Sequence, residues 1–127
     1  MTVKEIEKYI KEKHNVKAEK LFEDGEIFRR KDTKKWFGII MNIYYSQVFK
    51  DATRDRLIDE MNVKLPPDLV ASTKNVKGFA PAYHMNKKHW VTILINKVPA
   101  SRIKSLIDIS YEMTGKNKKQ VIKQFTI

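Results

Sequence analysis

The chain has 127 residues, no cysteine and a formal net charge of +11 at pH 7. That is one domain's worth of basic protein, and the missing thiols exclude disulfides, thiolate metal centres and cysteine nucleophiles together. A hydrophobic share of 42% argues against wholesale disorder, and no apolar run reaches the roughly 18 residues of a membrane-spanning helix.

Met1 to Glu5 carries charge where a signal peptide needs an apolar core. The expectation is a soluble, cytoplasmic protein with no membrane association and no cofactor, a monomer in the simplest case. Residues 1–63 hold 14 Lys and Arg against 12 Asp and Glu, a net of +2. Residues 64–127 hold 12 against 3, a net of +9. An acidic partner is drawn to that second half, and nucleic acid is the commonest such partner. The plainer alternative is a solubilising excess of lysine.

Thr2-Val3-Lys4-Glu5 reads as a capping box. Val3, Ile6 and Ile10 follow at helical spacing, which predicts a helix from about Val3 to Lys13. Glu23-Asp24-Gly25 signals a turn before a short strand, Glu26 to Arg30. Lys31 to Lys35 is a polar turn. Trp36 to Ile43 is aromatic and β-branched, with Gly38 inside it, and reads as a buried strand. The two strands make a hairpin with a basic tip. Tyr44 to Arg56 reads either as a long loop or as a short helical insertion.

Leu57 to Leu65 alternates, with Met61, Val63 and Leu65 on one face and Asn62 and Lys64 on the other. Pro66 and Pro67 stop that strand, and Asp68 to Ser72 can open a short helix. Pro81 to Trp90 holds two of the three histidines, one of the two tryptophans and a lysine pair. It reads as a hairpin with arms at Tyr83–Met85 and Trp90–Ile95. Pro99 suits a first helical turn. Ile103, Leu106, Ile107, Ser110 and Tyr111 follow at helical spacing, and Gly115 is placed to end the helix. The domain is expected to span 1–115, with 116–127 as a basic tail. Helices at the ends and strands between them predict an α+β two-layer sandwich, mostly antiparallel, with both helices on one face.

Pro-Ala-Tyr-His-Met-Asn-Lys-Lys-His-Trp at Pro81 to Trp90, together with Ser110-Tyr111, resembles the signature of the MmcQ/YjbR family. Ile27-Phe28-Arg29, Lys35-Trp36-Phe37-Gly38 and Asn62-Val63-Lys64-Leu65-Pro66-Pro67 match further pieces, so the likeness runs from about Val3 to Thr114. Leu65 stands where the family usually has cysteine. The segment Tyr44–Arg56 lacks the glycine-rich loop common in close relatives. The resemblance implies a fold similar to CyaY/frataxin. It also implies a double-wing arrangement of hairpins, described for members as DNA-binding.

Lys87 and Lys88 are expected at or near a turn, where two ammonium groups suit phosphate contact. Arg29, Arg30, Lys34 and Lys35 flank the other tip, and Lys64 lies on the polar face of its strand. His84 and Asn86 can add hydrogen bonds to a bound anion. Trp36, Tyr83 and Trp90 are expected as core anchors rather than stacking platforms, and Ser110 and Tyr111 as pins between the last helix and the hairpin. Asp108 and Glu112 read as surface charge decoration.

No metal site is expected. His84 and His89 lie five residues apart beside two lysines, and neither spacing nor charge suits a cation. There is no glycine-rich phosphate loop and no legible catalytic pairing, so the chain reads as non-enzymatic. The leading reading is a protein that binds DNA or another nucleic acid through basic hairpin tips. The alternatives are a module for a small anion or a protein, using His84, Asn86 and Lys87, and iron binding by frataxin analogy. The iron reading meets Glu5, Glu7 and Glu12 interleaved with Lys4, Lys8, Lys11 and Lys13, whose ammonium groups compete with a hard cation.

Overall fold

A computed structural model describes residues 1–50 and 55–116. The elements run α1 (Val3–His14), β1 (Glu19–Leu21), β2 (Gly25–Arg29), β3 (Trp36–Tyr44), β4 (Leu57–Lys64), α2 (Pro67–Ser72), β5 (Phe79–Pro81), β6 (Trp90–Leu94) and α3 (Ala100–Met113). Single 3₁₀ turns follow β3 at Tyr45–Gln47 and β6 at Ile95–Lys97. The anticipated basic tail lies, after Lys116, outside the described residues. No described helix is long and apolar enough to cross a membrane.

The capping box forms as its spacing demands. The Glu5 amide donates to Thr2 Oγ1 at 3.1 Å, and the Thr2 amide donates to Glu5 Oε1 at 2.9 Å. The helix stops at Asn15, which takes the left-handed conformation with φ 56°; asparagine tolerates it better than most residues.

Six strands form one antiparallel sheet in the order β1-β2-β3-β4-β6-β5. Alternation and register place Phe28, Ile40, Met61, Val63, Val91 and Ile93 on one face. There they meet Ile6 and Ile10 of α1 and Ile103, Leu106 and Ile107 of α3 in one core. Both long helices therefore cover the same face, and the α+β two-layer expectation holds. Gly38 lies on this face too. A Cβ there would sit 2.7 Å from the Met61 methyl and 3.3 Å from the Phe28 ring, so a larger residue would have to displace the Met61 side chain.

The strand Glu19–Leu21 went unseen in the sequence: two exposed residues and a half-buried leucine, with no alternation, carry no readable period. The anticipated arm at Tyr83–Met85 is also corrected. The strand that pairs with β6 is Phe79–Pro81, and 82–89 is a loop. Pro81 has no amide to extend the ladder, and His84 at φ 55° breaks the extended run. The helix stops before Gly115 as expected, at Met113, but Gly115 is not a left-handed cap. Its φ is not positive, and the helix closes instead through Thr114, whose hydroxyl donates to the Tyr111 and Ser110 carbonyls at 2.9 and 3.1 Å. Gly115 makes room: a Cβ there would lie 2.9 Å from the Arg30 guanidinium.

Candidate functional site

Pairing decides where the charged loops emerge. Arg29 ends β2, Trp36 starts β3, Lys64 ends β4, and Trp90 starts β6 opposite Lys64. Pro81 ends β5 opposite Val91. The 30–35 turn and the 82–89 loop therefore leave the same end of the sheet, with the end of β4 between them. At ~4.8 Å per strand, their centres are roughly 14 Å apart.

The 30–35 turn is closed by backbone bonds from Arg30 N to Lys35 O at 2.9 Å and from Lys34 N to Arg30 O at 3.1 Å. Lys34 takes a left-handed conformation, φ 66°. The two arginines here are engaged inside the molecule. Arg29 donates through Nε to Glu19 Oε2 at 3.1 Å and pairs with Glu19 Oε1 through a second nitrogen. Arg30 grips Asp32 with two bonds of 2.8 Å and donates to the Tyr111 carbonyl at 2.7 Å. Its guanidinium also lies 4.0 Å from the Tyr111 ring centroid. The Arg30 bond, aided by the Thr33 amide, holds the Asp32 carboxyl well below the usual range. Lys34 and Lys35 are exposed, with no salt bridge among the described residues.

The 82–89 loop is tied to the sheet by polar side chains. Thr92 Oγ1 donates to Asn62 Oδ1 at 2.6 Å and accepts from the Tyr83 amide at 2.9 Å. Asn62 Nδ2 donates to the Tyr83 carbonyl at 2.9 Å, and Gln47 Nε2 donates to the Tyr83 hydroxyl at 2.8 Å. The Leu65 amide donates to the His89 carbonyl at 2.9 Å. Asn86 shapes the tip: its side chain accepts from the Lys88 amide at 2.9 Å, and its carbonyl accepts from the Trp90 amide at 3.0 Å. The His84 ring packs on the Tyr83 ring at 4.0 Å. Lys87 and Lys88 stand exposed beyond this frame without a salt bridge among the described residues.

Tyr83 thus anchors the loop, though from an irregular segment rather than a strand. Trp90 is half-buried. Trp36, expected in the core, is 36% exposed. The cause is a bulge: Phe28 pairs with Gly38 but Arg29 pairs with Trp36, which leaves Phe37 as an extra residue. Phe37 turns into the core, fully buried against Phe28 and Tyr111, and Trp36 is released to the other side.

Ser110 and Tyr111 pin α3 to this end. The buried Ser110 hydroxyl donates to the Phe37 carbonyl at 2.6 Å and accepts from the Lys64 amide at 2.8 Å. The Tyr111 ring stacks on His14 at 4.1 Å and receives Phe37 edge-on at 5.1 Å.

Two acidic residues exceed what was read from sequence. Asp108 is no surface decoration. It accepts from Tyr9 Oη at 2.7 Å and Lys13 Nζ at 2.6 Å, and its other oxygen lies 2.8 Å from His14 Nε2, which joins α1 to α3. Burial works to raise its carboxyl, but the bonds from Lys13, Tyr9 and His14 hold it low. Glu60 sits on β4 facing away from the helices, opposite Met41 and Leu94. It is fully buried with neither carboxyl oxygen hydrogen-bonded, and desolvation pushes its carboxyl up to about 8. No three acidic or histidine side chains gather into a metal site among the described residues, so the iron reading finds no ligand set there.

The sequence profile of the YjbR family matches residues 11–113. The chain belongs to the YjbR family. The Bacillus subtilis (strain 168) protein YyaQ is 31% identical over 118 residues, covering 90% of this chain and 98% of that one. A Pseudomonas syringae protein shares the fold in a crystal structure at TM-score 0.84, with 34% identity over 91% of this chain and all of the other. Its solution structure gives a TM-score of 0.79, over 91% of this chain and 94% of that one. A Deinococcus radiodurans protein of the DUF419 domain family is 24% identical at TM-score 0.64, over 94% of this chain and 87% of that one. At that identity the likeness speaks to the fold alone. Tyr83 ties the 82–89 loop to the sheet through its amide, carbonyl and hydroxyl, and Ser110 and Tyr111 tie α3 to the same end.

Proposed function

We propose that this protein binds nucleic acid through the end of the sheet that carries the 30–35 turn and the 82–89 loop, acting by binding rather than by catalysis. One observation carries the reading: two loops bearing exposed lysines with no salt bridge among the described residues, Lys34 and Lys35 on one and Lys87 and Lys88 on the other, share that end. Their roughly 14 Å separation is comparable to the ~12 Å major groove, so both can reach phosphates together. Exposed Trp36 adds a flat ring that can stack on an unpaired base. Arg29 and Arg30 serve the frame, and His84 and Asn86 shape the second loop. Contact is mainly with phosphates, so sequence preference is modest.

The test is fluorescence anisotropy with labelled duplex and single-stranded oligonucleotides across a salt series. Binding that weakens steeply with salt, and weakens further in Lys87→Glu/Lys88→Glu, is the expected outcome. No detectable binding at low salt overturns the reading. Quenching of Trp36 by single strands but not by duplex would show which form uses the indole.

A further inference from the structure

A second site lies beside β5, away from the 30–35 turn. It is a cleft of about 710 Å³ between the α2–β5 connection and the β5–β6 edge of the sheet, within the range of small-molecule sites. Val70, Val76, Phe79, Leu94 and Trp90 supply apolar wall, and Phe49 adds a ring stacked on Tyr45 at 4.6 Å. Four lysines also line it: Lys74, Lys77, Lys87 and Lys97. Among the described residues no carboxylate lines it and none of the four lysines makes a salt bridge. The chain is built to gather them. Gly78 sits at φ 90°, where a Cβ would lie 3.0 Å from the Lys97 carbonyl, so the segments carrying Lys77 and Lys97 run close together.

We infer that this cleft binds a small organic anion with an apolar body, an aryl or medium-chain acyl carboxylate or sulfonate. The apolar walls bury the body, and the lysines select the charge. A nucleobase fits less well, because the described lining is mostly apolar or cationic, with uncharged polar side-chain groups at Thr73, Asn75, Tyr45 and Trp90 alone. An added peptide strand also fits less well, since β5 has three residues and ends in proline. The site does not rest on the nucleic-acid reading, and of the residues used there only Lys87 borders it.

The probe is 8-anilinonaphthalene-1-sulfonate, titrated into the full-length native protein with decanoate and decyltrimethylammonium as competitors. Saturable binding at one site per chain is expected, displaced by decanoate and not by the cation of equal chain length. Lys74→Gln/Lys97→Gln should weaken the probe by about tenfold or more and reduce oligonucleotide binding far less than Lys87→Gln/Lys88→Gln does. Ala71→Trp, at an exposed lining position, should fill the cleft and abolish probe binding with an unchanged melting curve. The inference is overturned by the absence of saturable binding, by equal displacement with both competitors, or by unaltered affinity in the variants. It is also overturned if oligonucleotide displaces the probe and the same variants lose both ligands, because the cleft then belongs to the nucleic-acid face.

Discussion

Arg30 in the 30–35 turn and Lys87 in the 82–89 loop lie at the same end of the same sheet, yet only the arginine has its charge taken up inside the molecule. Arg30 has a planar fork with five donors, and the fold uses it on Asp32, the Tyr111 carbonyl and the Tyr111 ring. Lys87 carries a compact charge on a flexible stem, and the loop is held by Asn86, Tyr83, Thr92 and Asn62 instead. Positive charge counted along a sequence therefore mixes two populations. Some cations fasten loops, and others stand exposed. At this end of the sheet Arg29 and Arg30 are engaged inside the molecule, whereas Lys34, Lys35, Lys87 and Lys88 stand exposed.

Variants on the two sides should behave oppositely. The largest loss of stability should come from Arg30→Ala, which removes the donor to the Tyr111 carbonyl and the packing on its ring. A cost of about 3 kcal/mol is expected in urea denaturation; a midpoint equal to wild type would erase the distinction between the loops. Thr92→Val should cost about 2 kcal/mol by leaving the Tyr83 amide and Asn62 without their partner. Hydrogen exchange of amides in 82–89 should then quicken, and oligonucleotide binding should weaken although no charge has changed. Unaltered exchange would mean that the polar frame does not order the loop.

Glu60 offers a control in the strand between the loops. Its carboxyl titrates from an ordinary 4.5 in the unfolded chain to about 8 in the fold. Between those values the folded protein holds the extra proton, so this contribution to stability is complete below pH 4.5 and is lost as pH rises toward 8. Glu60→Met should remove that slope and gain about 1 kcal/mol at pH 7 by replacing an unsatisfied buried acid with an apolar chain. Thermal melts of both proteins between pH 5 and 9 check it, and parallel curves would contradict it. Binding of oligonucleotide should not change. The smallest effect on stability belongs to Lys87→Ala/Lys88→Ala, whose melting temperature should match wild type.

Apart from β1 and the placement of β5, the elements were legible because each depends on neighbours in sequence. Thr2 and Glu5 announce the first helix, Met61 and Val63 alternate, and Pro99 opens the last helix. The family signature added the overall arrangement. The misread residues are those whose partners are remote. The exposure of Trp36 depends on an extra residue in β3 relative to β2, which leaves no mark in a run of apolar residues. Asp108 joins Tyr9, Lys13 and His14 from 94 to 99 positions away. Arg29 and Arg30 looked available because Glu19 belongs to a strand with no periodicity and Tyr111 to a distant helix. The 82–89 loop looked like a simple hairpin because the Asn62–Thr92–Tyr83 bonds that fold it onto the sheet are invisible to pattern. At the candidate site, composition marked the two basic segments, and only the fold separated the cations engaged inside the molecule from the exposed ones.

The division between the two loops is tested most directly by the salt dependence of oligonucleotide affinity in wild type and in Lys87→Ala/Lys88→Ala. If both lysines contact phosphate, the slope of log K against log salt should fall by about 2 in magnitude on duplex DNA, at ~0.9 per phosphate contact. An unchanged slope, with measurable binding in both proteins, would contradict the claim that these are the cations presented to the partner.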